Sequence, residues 1–342
     1  VRTGITTIGE AMVVLLPEDA EPLRRAERFG SGIGGAEFNV ATATARLGVP
    51  TSWVSRLGVD GFGDRVLDVA RAAGVDVGAV ERDPDRPTGL YVKERVADPE
   101  TGRMRSVMYY YRAGSAAAAM DRAFVERALR ADADADGVDR RIVHTSGITA
   151  ALSPTAAEAC AHLAGARAGD LVSVDLNYRP RLWTGRSTAP LDALAQRADI
   201  LFAGRDEAES YYGHSDVERI FAVHPRLAML VVKDEANRAS LHRPGRAPVH
   251  VPGLRVDVAE PVGAGDAFAA GFLSALALGR EPEACLRLGH AVAATALIAY
   301  GDRPAEVPSE SAQQRITSTS EAEWSTWHVA PGELPWDRVS VS

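Results

Sequence analysis

The chain has 342 residues, of which 46% are hydrophobic and 25% charged, with a formal net charge of −8. That length holds one large α/β domain or two smaller ones with a full core. The sign of the charge argues against nucleic acid or an anionic membrane as partner, because phosphates need a basic surface.

Cysteine occurs only at Cys160 and Cys285, which excludes a disulfide framework and argues against a metal cluster; a reduced, cytoplasmic setting is expected. The longest apolar run, 291–300, is too short to span a bilayer, and Val1-Arg2-Thr3-Gly4 opens no signal-peptide stretch. In chain order, residues 5–16 are apolar and β-branched and read as a first strand interrupted by Gly9-Glu10. Gly30-Ser31-Gly32-Ile33-Gly34-Gly35 precedes a helix over 36–47, stopped by Gly48 and Pro50. The spacing Gly30-x-Gly32-x-x-Gly35 formally matches a dinucleotide fingerprint. Its context is wrong: Arg24 to Arg28 is no buried strand, and the strand at 51–55 is followed by Arg56 rather than an acid. The glycines instead let a loop approach a small ligand closely. After an amphipathic helix over 64–73, residues 88–96 and 104–111 alternate across a turn-rich 98–103, a β-hairpin. Period two puts Tyr110 and Arg112 on one face and Tyr109 and Tyr111 on the other. Faces that polar suit a hairpin that covers something.

From about Ala116, short apolar strands at 141–145, 171–174, 200–203 and 228–232 alternate with helical stretches, the pattern of βαβ units in a parallel sheet. Ligands gather at the carboxyl ends of such strands, where Ser146-Gly147, Asp175-x-Asn177-x-Arg179, Asp206-Glu207 and Lys233-Asp234-Glu235 fall. Residues 249–257 then lead into Pro261-Val262-Gly263-Ala264-Gly265-Asp266-Ala267-Phe268. Pro261 and the two glycines are expected to hold off a regular element until Asp266, after which Phe268, Phe272, Ala275 and Leu276 recur at helical spacing up to Gly279. Gly263-Ala264-Gly265 therefore offers unpaired amides at a helix N-terminus, an anion site. Asp266 beside it is either a carboxylate that complements the dipole or a general base next to a cradle for a transferring phosphoryl group. A helix over 284–300 ends at Gly301-Asp302. Beyond Pro308 the chain turns polar, and Trp324, Trp327 and Trp336 stand in a tail without periodicity.

Five stretches carry a resemblance: Gly9-Glu10-Ala11-Met12, Gly34-Gly35-Ala36-Glu37-Phe38-Asn39-Val40-Ala41, Tyr110-Tyr111-Arg112-Ala113-Gly114-Ser115-Ala116-Ala117, the run from Asp175 to Trp183, and Pro261 to Phe268. In this order, over residues 5–305, the chain resembles the ribokinase-like (PfkB-type) carbohydrate kinases. The tyrosine-arginine hairpin and Asn177-Tyr178-Arg179-Pro180-Arg181-Leu182-Trp183 are similar to the branch that acts on 2-keto-3-deoxygluconate. The resemblance implies an α/β fold, a doubly wound and mainly parallel sheet flanked by helices, with a small β-sheet lid. Core residues would be 1–12, 36–87 and 115–308, the lid 13–35 and 88–114, and residues 309–342 a tail of no assigned role.

The same resemblance implies ATP-dependent phosphorylation of 2-keto-3-deoxy-D-gluconate at its 6-hydroxyl. Asp266 would take the proton, and the amides of Gly263, Ala264 and Gly265 would hold the phosphoryl group. Gly34, Gly35, Asn39, Tyr91, Tyr110, Arg112 and Arg179 would bind the sugar acid. Asn177, Lys233 and His290, with Gly263 and Gly265, would bind ATP, and Glu207 would hold Mg²⁺ through water; a monovalent cation is a further candidate cofactor, and a homodimer through the lid a candidate assembly. Plainer readings stand beside these: Tyr91 as a cross-strand aromatic, Arg179 as a partner of Asp175, Glu207 as a first-turn carboxylate. Glu260 stands where the family usually has Asp, Gly204 where it has Asn, and Lys233-Asp234-Glu235-Ala236-Asn237-Arg238 where it has Lys-x-Gly-x-x-Gly. These departures fall at the nucleotide and metal end. They keep open a sugar-acid-binding protein with a lost nucleotide site, beside a kinase for another sugar such as fructose or ribose. Arg112 and Arg179 favour an anionic substrate.

Overall fold

The computed structural model describes residues 1–18, 22–97, 104–133 and 137–337. Among these, nine strands make one sheet. In spatial order they are β13 (Val249–Pro252), β12 (Arg238–His242), β11 (Met229–Asp234), β10 (Ile200–Gly204), β9 (Leu171–Asp175), β8 (Arg140–Ser146), β1 (Thr3–Ile8), β4 (Thr51–Gly58) and β5 (Val80–Asp83). All neighbours from β11 to β5 pair in parallel, and β12 runs antiparallel to both of its neighbours.

Alternate residues of the central strands enter different hydrophobic clusters, which is what burial on both faces requires. Ile142, Ile200, Phe202 and Val231 face α1 (Ala36–Arg46), α9 (Ala264–Ala277) and α10 (Pro282–Leu297). Val143, Leu201, Ala203 and Leu230 face α3 (Arg122–Ala133), α4 (Gly147–Ala150), α5 (Pro154–Ala161), α6 (Ala189–Ala195), α7 (Arg205–Tyr212) and α8 (Val217–Val223). The expected doubly wound, mainly parallel α/β sheet is what the chain forms.

A second, four-stranded sheet has the order β3 (Phe29–Gly34), β2 (Met12–Pro17), β6 (Gly89–Ala97), β7 (Met104–Tyr111). Its β6–β7 pair is antiparallel, with Tyr91 opposite Tyr110; the turn expected at 98–103 lies outside the described residues. The apolar run at 5–16, expected as one interrupted strand, is divided between the two sheets. Gly9 is the reason: the Trp53 indole donates to its carbonyl at 3.1 Å, and the Glu37 side chain fills the space a Cβ would need. A third cluster, with Val13, Ile33, Phe38, Trp53 and Val66, joins β2 and β3 to α1, β4 and α2 (Gly61–Ala72).

Two further differences matter for the site. Helix α9 begins at Ala264, two residues before the expected Asp266, because Gly263 caps it at φ 84° and Ala264 already has helical backbone. The segment after Pro308 is not a loose tail. It contains α11 (Glu310–Ser318), α12 (Glu321–Trp324) and β15 (His328–Val329), the last paired with β14 (Arg255–Val256). Trp324, Trp327 and Trp336 are buried in the cluster that holds α9 and α10, their ring centroids 5.3 and 6.0 Å apart in succession, and the Trp324 indole donates to the Pro252 carbonyl at 3.0 Å. Trp324→Ala is expected to cost ~3–5 kcal/mol of stability, as for other buried large-to-Ala changes. Urea unfolding measures it, with exposed Gln314→Ala as a control expected within ~0.5 kcal/mol of the parent.

Candidate active site

A cleft of about 800 Å³ opens between the carboxyl ends of β9–β11, the N-terminus of α9 and the inner face of the small sheet. At its centre Gly263 takes a left-handed φ of 84°, and a Cβ there would overlap the Asp302 carbonyl. The chain can therefore turn into α9 with Gly263, Ala264 and Gly265 lining the cleft; the Ala264 amide donates to the Pro261 carbonyl at 3.4 Å, and the Gly265 amide, in the first turn, has no earlier turn of helix to accept it. The Lys233 ammonium adds positive charge: a Cβ built on Gly265 would lie 3.5 Å from its Nζ.

Asp266 sits in the first turn of α9, with part of its surface open to the cleft. Asn39 Nδ2 donates to its Oδ2 at 2.8 Å. Poor solvation, with the charges of Asp175 and Glu37 nearby, pushes its carboxyl up to about 7, against the pull of Asn39 and Lys233. A carboxylate half protonated near neutrality can accept a proton and release it again. Glu37, which also lines the cleft, is fixed by Ser146 and Thr149, whose hydroxyls donate to Oε1 at 2.6 and 2.8 Å. Lys233 pairs with Asp175 at 2.9 Å; burial would lower its pKa, but Asp175 and Glu207 outweigh burial and raise it.

At the end under the small sheet, Tyr91 donates to the Asp302 carboxylate and lies 5.5 Å from the Tyr110 ring. The Arg112 guanidinium sits 5.7 Å from that ring and pairs with Glu10 at 2.7 Å, which also accepts from Ser115 at 2.6 Å. Gly34 and Gly35 leave room here: a Cβ on the first would strike the Tyr91 hydroxyl, and on the second the Glu10 carbonyl. Arg179 reaches the cleft but is half exposed and pairs with Glu207 at 2.7 Å. The plainer reading that it pairs with Asp175 is thus displaced by Lys233. Two side chains expected on different ligands hold each other instead.

At the other end the wall is apolar, with Leu254, Val256, Val258, Ala293 and Leu297. His290 closes it, but its Nε2 is engaged by the Val251 carbonyl at 3.2 Å, and burial lowers its pKa to about 4; it is a neutral wall. Asn177 adopts φ 39°, and its buried Oδ1 has no hydrogen-bond partner among the described residues, like Asn39 Oδ1. Such orphaned buried acceptors are what a bound ligand satisfies. The three sequence departures have physical counterparts. Gly204 caps α7 through its own amide, which donates to Glu207 at 3.0 Å. Glu235 takes φ 44° and lines the cleft with Arg238, side chains where glycine would leave space. Glu260 reaches the small sheet. The sequence reading gave no role to Glu10, Asp302 or Lys93; Glu10 and Asp302 each follow a glycine at a strand or helix end, which is the signal they carried.

Fold and cleft together define a phosphoryl-transferring enzyme with a small-molecule acceptor. The family model described as pfkB family carbohydrate kinase matches residues 2–309. A relative, the 2-dehydro-3-deoxygluconokinase of Thermoproteus tenax, is 34% identical over 300 residues, 86% of this chain and 88% of that one. Among solved structures, the 2-dehydro-3-deoxygluconokinase of Thermotoga maritima superposes with a TM-score of 0.76 over 93% of this chain and 99% of its own, at 22% identity. A putative ribokinase II of E. coli, in complex with ATP and Mg²⁺, does so with 0.73 over 92% and 97%, also at 22% identity. The chain belongs to the pfkB family of carbohydrate kinases. No helix among the described residues is long and apolar enough to cross a membrane.

Asp266 makes a stability prediction of definite sign. Its carboxyl ionises near the ordinary 3.8 in the unfolded chain and near 7 in the folded one. Between these values the unfolded chain sheds its proton first, so folding weakens as pH rises through the window. Asp266→Asn cannot ionise. It should raise the thermal midpoint by an amount that grows from about pH 4 to pH 7 and then levels off; calorimetry across that range tests it, and a constant difference would contradict it.

Proposed function

We propose that the protein transfers the γ-phosphoryl group of ATP to the 6-hydroxyl of 2-keto-3-deoxy-D-gluconate, in the cytoplasm. The observation that carries this reading is Asp266, poised near neutrality beside the Gly263–Gly265 amides, in a cleft whose opposite end presents Arg112. The names of the relatives support it. Asp266 accepts the proton of the attacking hydroxyl, and Asn39 fixes the carboxylate by its hydrogen bond. The amides of Gly263, Ala264 and Gly265 stabilise charge on the transferring group, and Lys233 adds its ammonium beside them. The residues present fit ATP: the unpaired Asn177 Oδ1 suits a donating ribose hydroxyl, the glycine loop the phosphoryl group and the apolar wall the base. Mg²⁺, when bound, would supply charge neutralisation of the phosphates, and Glu207 would hold it through water after exchanging Arg179.

On this reading the small sheet is a lid, residues 13–35 and 88–114, over a core of 1–12, 36–87 and 115–308. Tyr109 and Tyr111, exposed on the lid's other face, supply a surface for a homodimer. Gly34 and Gly35 let the sugar approach the backbone, and Tyr91, Tyr110, Arg112 and Arg179 converge on it.

Both arginines already have carboxylate partners, Glu10 and Glu207, so a neutral sugar in the cleft leaves neither charge unpaired. Discrimination for the acid then comes only from the charge-assisted hydrogen bonds it gains, ~1.5–3 kcal/mol each. The kcat/KM for 2-keto-3-deoxygluconate should exceed that for fructose or ribose by ~10–10²-fold, and Arg112→Met should remove most of that advantage. Equal use of fructose or ribose would overturn the substrate assignment. Asp266→Asn should lower kcat by ~10²–10⁴-fold with sugar binding nearly intact; steady-state kinetics and calorimetric binding read the two effects, and near-normal kcat would leave Asp266 a dipole partner.

A further inference from the structure

By the period of two in β6, Tyr91, Lys93 and Arg95 share one face of the small sheet. Tyr91 lines the cleft, whereas Lys93 lies behind it, 2% exposed, with Nζ 2.9 Å from Glu260 Oε2 and 2.8 Å from Asp302 Oδ1. Those two acids belong to the two core segments that border the anion loop. Glu260 stands three residues before Gly263, and its Oε1 accepts from the Val262 amide at 3.3 Å. Asp302 packs its backbone carbonyl against Gly263 so closely that no Cβ fits. Ser106 of β7 adds a hydrogen bond to Glu260 at 2.8 Å. Beyond Lys93 the same face continues with Arg95 over the Tyr300 ring at 5.3 Å.

One ammonium thus stands between two carboxylates that would otherwise repel each other beside a loop built for an anion. Buried charge of this kind is tolerated only when paired, and here the pairing joins the small sheet to both supports of the loop. Glutamate at 260, rather than the shorter acid, is long enough to reach β6 and β7 together.

We propose that Lys93 is a positioning residue for phosphoryl transfer, a tethered cation that pins segments 260–263 and 301–303 to the small sheet and offsets part of their negative charge, so that the Gly263–Gly265 amides face the transferring group. The inference rests on the phosphoryl-transfer reading of that loop.

The test compares the unaltered protein with Lys93→Ala and Lys93→Arg in ATP-dependent phosphorylation of 2-keto-3-deoxygluconate. Each is assayed with methylammonium chloride or with tetramethylammonium chloride at equal ionic strength, the second cation being too large for the gap. Displacement of the loop by a fraction of its hydrogen-bond reach should lower kcat of the alanine variant by ~10²-fold, with the KM for ATP changed less than about threefold. Methylammonium should restore kcat about tenfold or more and tetramethylammonium should not, while Lys93→Arg should stay within about tenfold of the unaltered protein. A merely structural lysine would give none of this rescue. An alanine variant that keeps more than about a third of kcat, or a loss that neither methylammonium nor arginine relieves, overturns the proposal. Should the alanine variant fail to fold, Glu260→Gln keeps the side-chain shape and removes one of the two charges: a lower kcat supports the proposal and an unchanged one overturns it. An unaltered protein that phosphorylates no sugar overturns the reading of the loop, and the role of Lys93 in transfer falls with it.

Discussion

The structure depends on one unfavourable placement, a poorly solvated carboxylate set in the cleft close to two other acids. Asp266 occupies the first turn of α9, where the helix dipole favours it, yet it is poorly solvated and faces Asp175 and Glu37. Its neighbours relieve this without removing it. Asn39 donates to it, and Lys233 divides its charge between Asp175 and the anion loop. The result is a carboxyl raised from its ordinary 3.8 to about 7, the range that the proposed role as a base would need at neutral pH.

Elsewhere the cleft neutralises itself. Arg112 with Glu10, Arg179 with Glu207, Lys233 with Asp175, and Lys93 with Glu260 and Asp302 put a cation against an acid around most of the perimeter. Half-exposed pairs such as Arg179 with Glu207 are weak and can be exchanged for ligand groups at little cost. Buried ones such as Lys93 resist exchange and hold segments in place. The depth of each pair therefore separates groups free to meet a ligand from groups that fix the frame.

Much of the fold and the centre of the site were legible because they rest on local rules. Alternating apolar strands and helices announced the parallel sheet, and Gly263-Ala264-Gly265 announced a turn into a helix. Period two placed Tyr110 and Arg112 on the cleft side of β7. What could not be read depends on tertiary partners. Only a preceding glycine marks Glu10 and Asp302 locally, and their roles come from Arg112 and Tyr91 far away in sequence. The division of residues 5–16 between two sheets follows from Trp53 and Glu37 crowding Gly9, and an apolar pattern carries no record of that crowding. The three tryptophans after Pro308 have no period because they pack on one another across short elements. The pairing of Arg179 with Glu207 was hidden for a related reason: each alone suggests a ligand.

The parallel pairing of β15 with β14 gives the order of synthesis a bearing on the site. Strand β14 ends at Val256, a wall residue of the cleft, and the chain runs on from it to Glu260 and the anion loop. Its partner leaves the ribosome after α9, α10 and α11. A nascent chain that has already emerged through α9 and α10 thus carries Asp266 and the glycine loop but lacks the strand and the tryptophans that back them. That wall of the cleft is backed by a segment synthesised after α10, so the site is complete only once β15 and the tryptophans have emerged.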